Sequence, residues 1–164
     1  MSPSRPVLSL DPGASGGMAF IQEGENHVPF LRKLPADIAA IPKEIQAALM
    51  AIGDPLPMRV LAIVEQVGGF IQRNPLPGSA MFKFGASYGA IIGTLATLQI
   101  EVVQFRPMTW QRILGMVGAG SSPREHKRML RTLALRLFPE VKGITNRTCD
   151  ALLMLEAGKL SRLF

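Results

Sequence analysis

The chain has 164 residues, 48% of them hydrophobic and 18% charged, which is the length of one domain with enough apolar material for a core and excludes a disordered chain. Lysine and arginine number 18 against 12 aspartate and glutamate, a formal net charge of +6; this fits a surface that meets a polyanion such as nucleic acid, and equally a generic basic surface. A single cysteine, Cys149, excludes an intrachain disulfide and a cysteine-based zinc site.

In chain order, residues 6–10 read as a short strand and 17–22 as a second, joined by the Asp11-Pro12-Gly13 and Gly16-Gly17 turns. Residues 27–34 read as a third strand, with 23–26 as a hairpin turn. The stretch IPKEIQAALMAIG (41–53) places Ile41, Ile45, Ala48, Leu49 and Ile52 at helical spacing. After the break at 54–57, residues 60–64 form a continuous apolar, β-branched run, as in a central strand buried on both faces. Residues 68–79 read as a loop, 80–98 as a long helix and 100–105 as the fifth strand. Three helices follow, over 107–114, 123–137 and 146–160, with a Gly-rich linker before the second. The expected fold class is α/β: a mixed five-stranded sheet, an antiparallel meander plus parallel strands, flanked by helices in a single domain over 1–164. No signal-peptide core opens the chain, and the apolar run at 88–98 is too short and Gly-rich for a membrane span. The expectation is a cytoplasmic protein with no membrane association.

Three acids stand out by position: Asp11 ends the first strand, Glu65 ends the fourth, and Asp150 sits near the start of the last helix. Each alone has an ordinary explanation, as a turn former or a helix N-terminal charge. If the first and fourth strands are neighbours and the last helix crosses their ends, the three converge. Clustered, partly buried carboxylates repel one another, and a divalent cation relieves that repulsion. Magnesium suits such hard oxygen ligands, and two ions roughly 4 Å apart can clamp a phosphodiester.

These flanks resemble the RuvC-type Holliday junction resolvases of the ribonuclease-H-like superfamily, most of all their phage and chloroplast branch. The resemblance rests on Asp11-Pro12-Gly13, Val64-Glu65-Gln66-Val67 and Cys149-Asp150-Ala151-Leu152-Leu153. Between them, Phe82-Lys83-Phe84-Gly85-Ala86-Ser87-Tyr88-Gly89 matches a Phe-x-Phe-Gly-x-x-x-Gly pattern, and Pro107-Met108-Thr109-Trp110 matches Pro-x-x-Trp. It spans about residues 7 to 160. It implies a ribonuclease-H-like fold, two magnesium ions with manganese as a substitute, and a homodimer that nicks a four-way DNA junction symmetrically. It makes Asp11, Glu65 and Asp150 the metal ligands. Where relatives carry a fourth acid, this chain has Asn146, whose amide oxygen can ligate magnesium but lacks the negative charge. Glu156 lies nearly opposite Asp150 on the helix and is not expected to replace it.

The helix at 123–137 carries Arg124, Lys127, Arg128 and Arg131 at offsets of three, four and seven, on one face. That stripe is either a solvated face or a phosphate-binding one. In the resemblance a basic residue here approaches the scissile phosphate, and Lys127 is that residue. His126 reads as a surface residue and Trp110 as structural. In the resemblance the loop after Glu65 reaches the junction centre, which makes Phe70 either a wedge between bases or a core residue folded under the loop, and makes Arg73 and Asn74 candidate DNA contacts. Gly85, Gly89 and Gly93 recur every four residues; they either pack against the chain's own sheet or form a dimer contact. The main reading is a magnesium-dependent endonuclease for branched DNA, leaving 5′-phosphate and 3′-hydroxyl ends. The alternatives are a junction-binding module whose turnover Asn146 has weakened, and an actin-like ATPase, for which the chain lacks a second nucleotide-binding half.

Overall fold

A computed structural model describes residues 5–13, 15–22, 28–52, 59–66 and 78–164. Five strands run β1 (Val7–Asp11), β2 (Gly17–Ile21), β3 (Phe30–Lys33), β4 (Leu61–Glu65) and β5 (Glu101–Phe105). The helices are α1 (Ile41–Ile52), α2 (Gly78–Thr97), α3 (Pro107–Ile113), α4 (Pro123–Leu137) and α5 (Cys149–Leu160), with a 3-10 turn at Ile38–Ala40. The sheet order is β3-β2-β1-β4-β5. The first three strands form the antiparallel meander, while β1–β4 and β4–β5 are parallel. This is the mixed α/β sheet expected from the order of elements.

Alternation along the central strands decides which layer each side chain joins. Val7, Leu61 and Ile63 point to one face, where α3, α4 and α5 supply Trp110, Leu130 and the buried side of α5. Leu8, Leu10 and Val64 point to the other, against Ile45 of α1 and Ile91 and Leu95 of α2. Both faces of β1 and β4 are therefore covered, which accounts for their near-continuous apolar sequences.

Asp11 and Glu65 close β1 and β4, as expected. The structure differs from the sequence reading mainly at element boundaries. The third strand is shorter: residues 28 and 29 are not part of it, and at its far end residues 34–37 lead into the 3-10 turn, which the Asp37 side chain caps through Ala39 N–H. The last helix starts at Cys149, not at residue 146. Residues 145–148 form a turn instead, pinned by Thr148 Oγ1, which accepts from Thr145 N–H at 2.9 Å and donates to the Gly143 carbonyl at 3.0 Å. Of the two readings of Gly85, Gly89 and Gly93, packing against the sheet is the one the structure removes: a Cβ added at any of them meets nothing within 4 Å. The buried side of α2 is Ser87, Ile91 and Leu95, so the glycine face points away from the described core.

Gly17 pairs with Asp11 across the β1–β2 ladder and sits under the turn that leads into α5. A Cβ there would lie 2.5 Å from the Arg147 carbonyl oxygen and 3.0 Å from Thr148 Cα, both backbone atoms that cannot rotate aside. Gly17→Ala is expected to destabilise the protein by about 1–3 kcal/mol or more. Urea unfolding measures this, and an unchanged midpoint would show that the β2–α5 contact is looser than described.

Candidate active site

The register Leu10↔Val64 between parallel β1 and β4 places the next residues, Asp11 and Glu65, side by side at the carboxyl end of the sheet. Open α/β sheets leave their crevices at this end. Asp11 is 9% exposed, and its side chain is within hydrogen-bonding reach of Glu65. The turn after Asp11 is tied down from α2. Gly13 N–H donates to the buried Ser87 Oγ at 3.2 Å, and Gly13 has φ +116 with the Phe84 ring against it. A side chain would be strained at that φ and crowded by Phe84, which explains the glycine.

Glu65 is gripped from the other side. The indole Nε1–H of Trp110, on α3, donates to Glu65 Oε1 at 2.9 Å. Asp150 enters in the first turn of α5. Its Oδ2 accepts from Lys127 Nζ of α4 at 2.5 Å, and its Oδ1 accepts from the Cys149 thiol at 3.3 Å. Asp11, Glu65, Asp150 and Lys127 thus form one electrostatic group: the charges of Glu65, Asp150 and Lys127 all act on Asp11.

Burial, then the charges of Glu65 and Asp150, hold Asp11 well above the usual carboxylate range. Burial raises Glu65 as well, against the opposing hydrogen bond from Trp110. Desolvation works against the Lys127 ammonium, but the charge and hydrogen bond of Asp150 outweigh it and keep Lys127 above its ordinary value. Burial and Asp150 push the Cys149 thiol up to about 12, so it is a neutral donor rather than a nucleophile.

The donor set of Asp11, Glu65 and Asp150 is all carboxylate oxygen, and its mutual repulsion is what a hard divalent cation relieves. Asp11 and Glu65 stand together, whereas Asp150 is turned onto Lys127. Among the described residues no three His, Cys, Asp or Glu side chains are grouped closely enough to hold one ion. Asn146 is exposed and lines an open cleft with Ser122, Arg124, Glu125, Arg128 and Arg131. In that cleft Arg128 faces Glu125 at 3.6 Å, and Arg124 and Arg131 have no acidic partner among the described residues.

His126 is anchored rather than free: its Nδ1 lies 2.7 Å from the Ala119 carbonyl and ties the Gly-rich linker to α4. Phe70, Arg73 and Asn74 lie outside the described residues. Sequence reasoning passed over Ser87 and treated Trp110 as structural only. A signal for Trp110 existed, because a buried indole N–H needs an acceptor, but nothing local in the sequence says which.

In the native state Asp11 and Glu65 retain protons that the unfolded chain releases in the ordinary carboxylate range. Stability without divalent ions should therefore fall as pH rises from that range through their raised values, and level off above. Asp11→Asn removes most of this slope. It should raise stability at neutral pH by about 1 kcal/mol or more, roughly 2–4 °C for a chain of this size. Thermal unfolding in chelator across pH tests this, and a parental profile that rises toward neutral pH would contradict it.

No protein-family model matches the chain, and no curated protein sequence matches it. Solved structures do. The T. thermophilus RuvC in complex with a Holliday junction substrate aligns with a TM-score of 0.60 and 16% identity, over 97% of this chain and 96% of that one. A second Thermus thermophilus RuvC structure aligns with a TM-score of 0.57 and 17% identity, over 96% of each chain. The likeness is one of fold across nearly the whole length of both chains. The protein has the RuvC-type, ribonuclease-H-like fold, with Asp11 and Glu65 at the ends of its two central parallel strands.

Proposed function

We propose that this protein is a divalent-metal-dependent endonuclease that resolves four-way DNA junctions by paired nicks. The observation that carries the reading is the pairing of Asp11 with Glu65 at the carboxyl end of the central strands, with the Asp150–Lys127 pair near enough for its charges to act on both. The shared fold supports it, since one of the similar RuvC structures holds a Holliday junction substrate.

Asp11 and Glu65, with Asp150, are the residues to hold magnesium or manganese. When bound, such ions supply charge neutralisation at the phosphate and an activated water, giving 5′-phosphate and 3′-hydroxyl ends. Lys127 orients Asp150 and brings an ammonium to the edge of the site, where a non-bridging phosphate oxygen can accept from it. Arg124, Arg128 and Arg131 line the neighbouring cleft and meet the DNA backbone, a contact that weakens steeply with salt. Phe70, Arg73 and Asn74 remain candidates for the junction centre on sequence grounds. The open glycine face of α2 lets another backbone approach closely. A two-fold pairing of two copies there would present two sites for symmetric nicks.

A second reading is a junction-binding module with weakened turnover. Two observations favour it: Asp150 is engaged by Lys127, and among the described residues no three His, Cys, Asp or Glu side chains are grouped closely enough to hold one ion.

Incubation with a synthetic four-way junction and Mg²⁺ or Mn²⁺ tests the main reading. Nicks in two opposed strands are expected, and Asp11→Asn should cut slower by about 10²–10³-fold while still retarding the junction on a gel. Cleavage by Asp11→Asn at the parental rate ends the metal-site reading. Asn146→Asp separates the two readings: a sharp gain in cutting selects the binding module, and no gain over a good parental rate selects the resolvase.

A further inference from the structure

Trp110 is completely buried, yet its indole N–H goes to a carboxylate of the candidate site instead of to a backbone carbonyl. The backbone sets this up. Gln66 N–H, one residue past Glu65, donates to the Phe105 carbonyl at 2.8 Å, and Arg106 Nε donates to Gln66 Oε1 at 3.1 Å. Residues 105–107 are thereby fixed against the end of β4. Pro107 starts α3 there, and Trp110 comes back over Glu65 one turn later.

We infer that Trp110 is a positioning residue that presents the Glu65 carboxylate to an incoming divalent cation. The inference rests on the metal-dependent reading above. A glutamate side chain has several rotatable bonds, and freezing them on binding costs affinity. A donor already packed in place removes that cost. Indole suits the task because it is donor-only and carries no formal charge. It fixes Glu65 without competing with the ion, unlike Lys127 at Asp150. Its ring lies in the core beneath α5, so the N–H cannot follow the carboxylate if it moves.

Trp110 is the only tryptophan, so its fluorescence reports on this contact directly. In the full-length protein, paramagnetic Mn²⁺ should quench Trp110 emission saturably. In Trp110→Phe, Mn²⁺ affinity measured from free ion by electron paramagnetic resonance should weaken about tenfold or more, with junction binding in chelator unchanged. Leu130→Ala is the control for packing: it opens a cavity in the same cluster without touching Glu65, and should leave Mn²⁺ affinity as it was. Equal Mn²⁺ affinity in the parent and folded Trp110→Phe overturns the inference. Failure of the parent to bind Mn²⁺ by either measurement overturns the metal reading itself, and the inference with it. Should Trp110→Phe not fold, Glu65→Ala decides: loss of the acceptor must shift the Trp110 emission maximum, and an unmoved maximum overturns the contact.

Discussion

Parallel pairing of β1 with β4 is the constraint from which the site follows. Once Leu10 is opposite Val64, Asp11 and Glu65 have nowhere to go but next to each other. Backbone hydrogen bonds and apolar side chains on both faces hold that register, and slipping it by one residue would exchange the two core faces. The sheet therefore forces two carboxylates together in a place with little water. Like charges there cost free energy, and a fold with no use for the pair has a cheaper option in neutral side chains.

The surroundings answer that electrostatic problem in two different ways. At Glu65 a neutral indole N–H supplies the hydrogen bond. At Asp150 the partner is the Lys127 ammonium, half-buried with the carboxylate it bonds. One arrangement orients a carboxylate and leaves its charge uncompensated; the other cancels the charge. Together they leave Asp11 and Glu65 without a bonded cation and put the Lys127 ammonium on Asp150. That polarity suits a divalent ion at the strand ends and a phosphate approaching from α4. The turn after Asp11 is held by Ser87 and Phe84 of α2. The helix that carries the open glycine face thus also touches the backbone next to the first carboxylate, giving a direct mechanical link between the two.

Much of this was legible in the residues. The apolar runs at 7–10 and 61–64 and the helical spacing at 41–52 leave little choice of element, because burial on two faces and amphipathic periodicity are written in residue type. Element ends were less legible. Asn146 reads as the start of a helix by position, but the Thr145 and Thr148 side chains compete for the backbone and hold a turn through residue 148. The glycines of α2 illustrate a different limit. Their four-residue spacing was plain, yet whether the groove faces the sheet or the outside depends on how Ile91 and Leu95 seat the helix.

The sequence by itself determined the α/β class, the order of strands and helices, and the three acids worth watching, since these rest on periodicity and on residues adjacent in the chain. Only the tertiary structure decided which of those acids share an environment, that Lys127 reaches Asp150, that Trp110 reaches Glu65, and that Asn146 lines a cleft with Arg124, Arg128 and Arg131. The physical reason is range. Local propensity acts over a few residues. Desolvation and Coulomb interaction act through space between segments as far apart as residues 11, 65 and 150, and strand register with helix docking alone sets those distances.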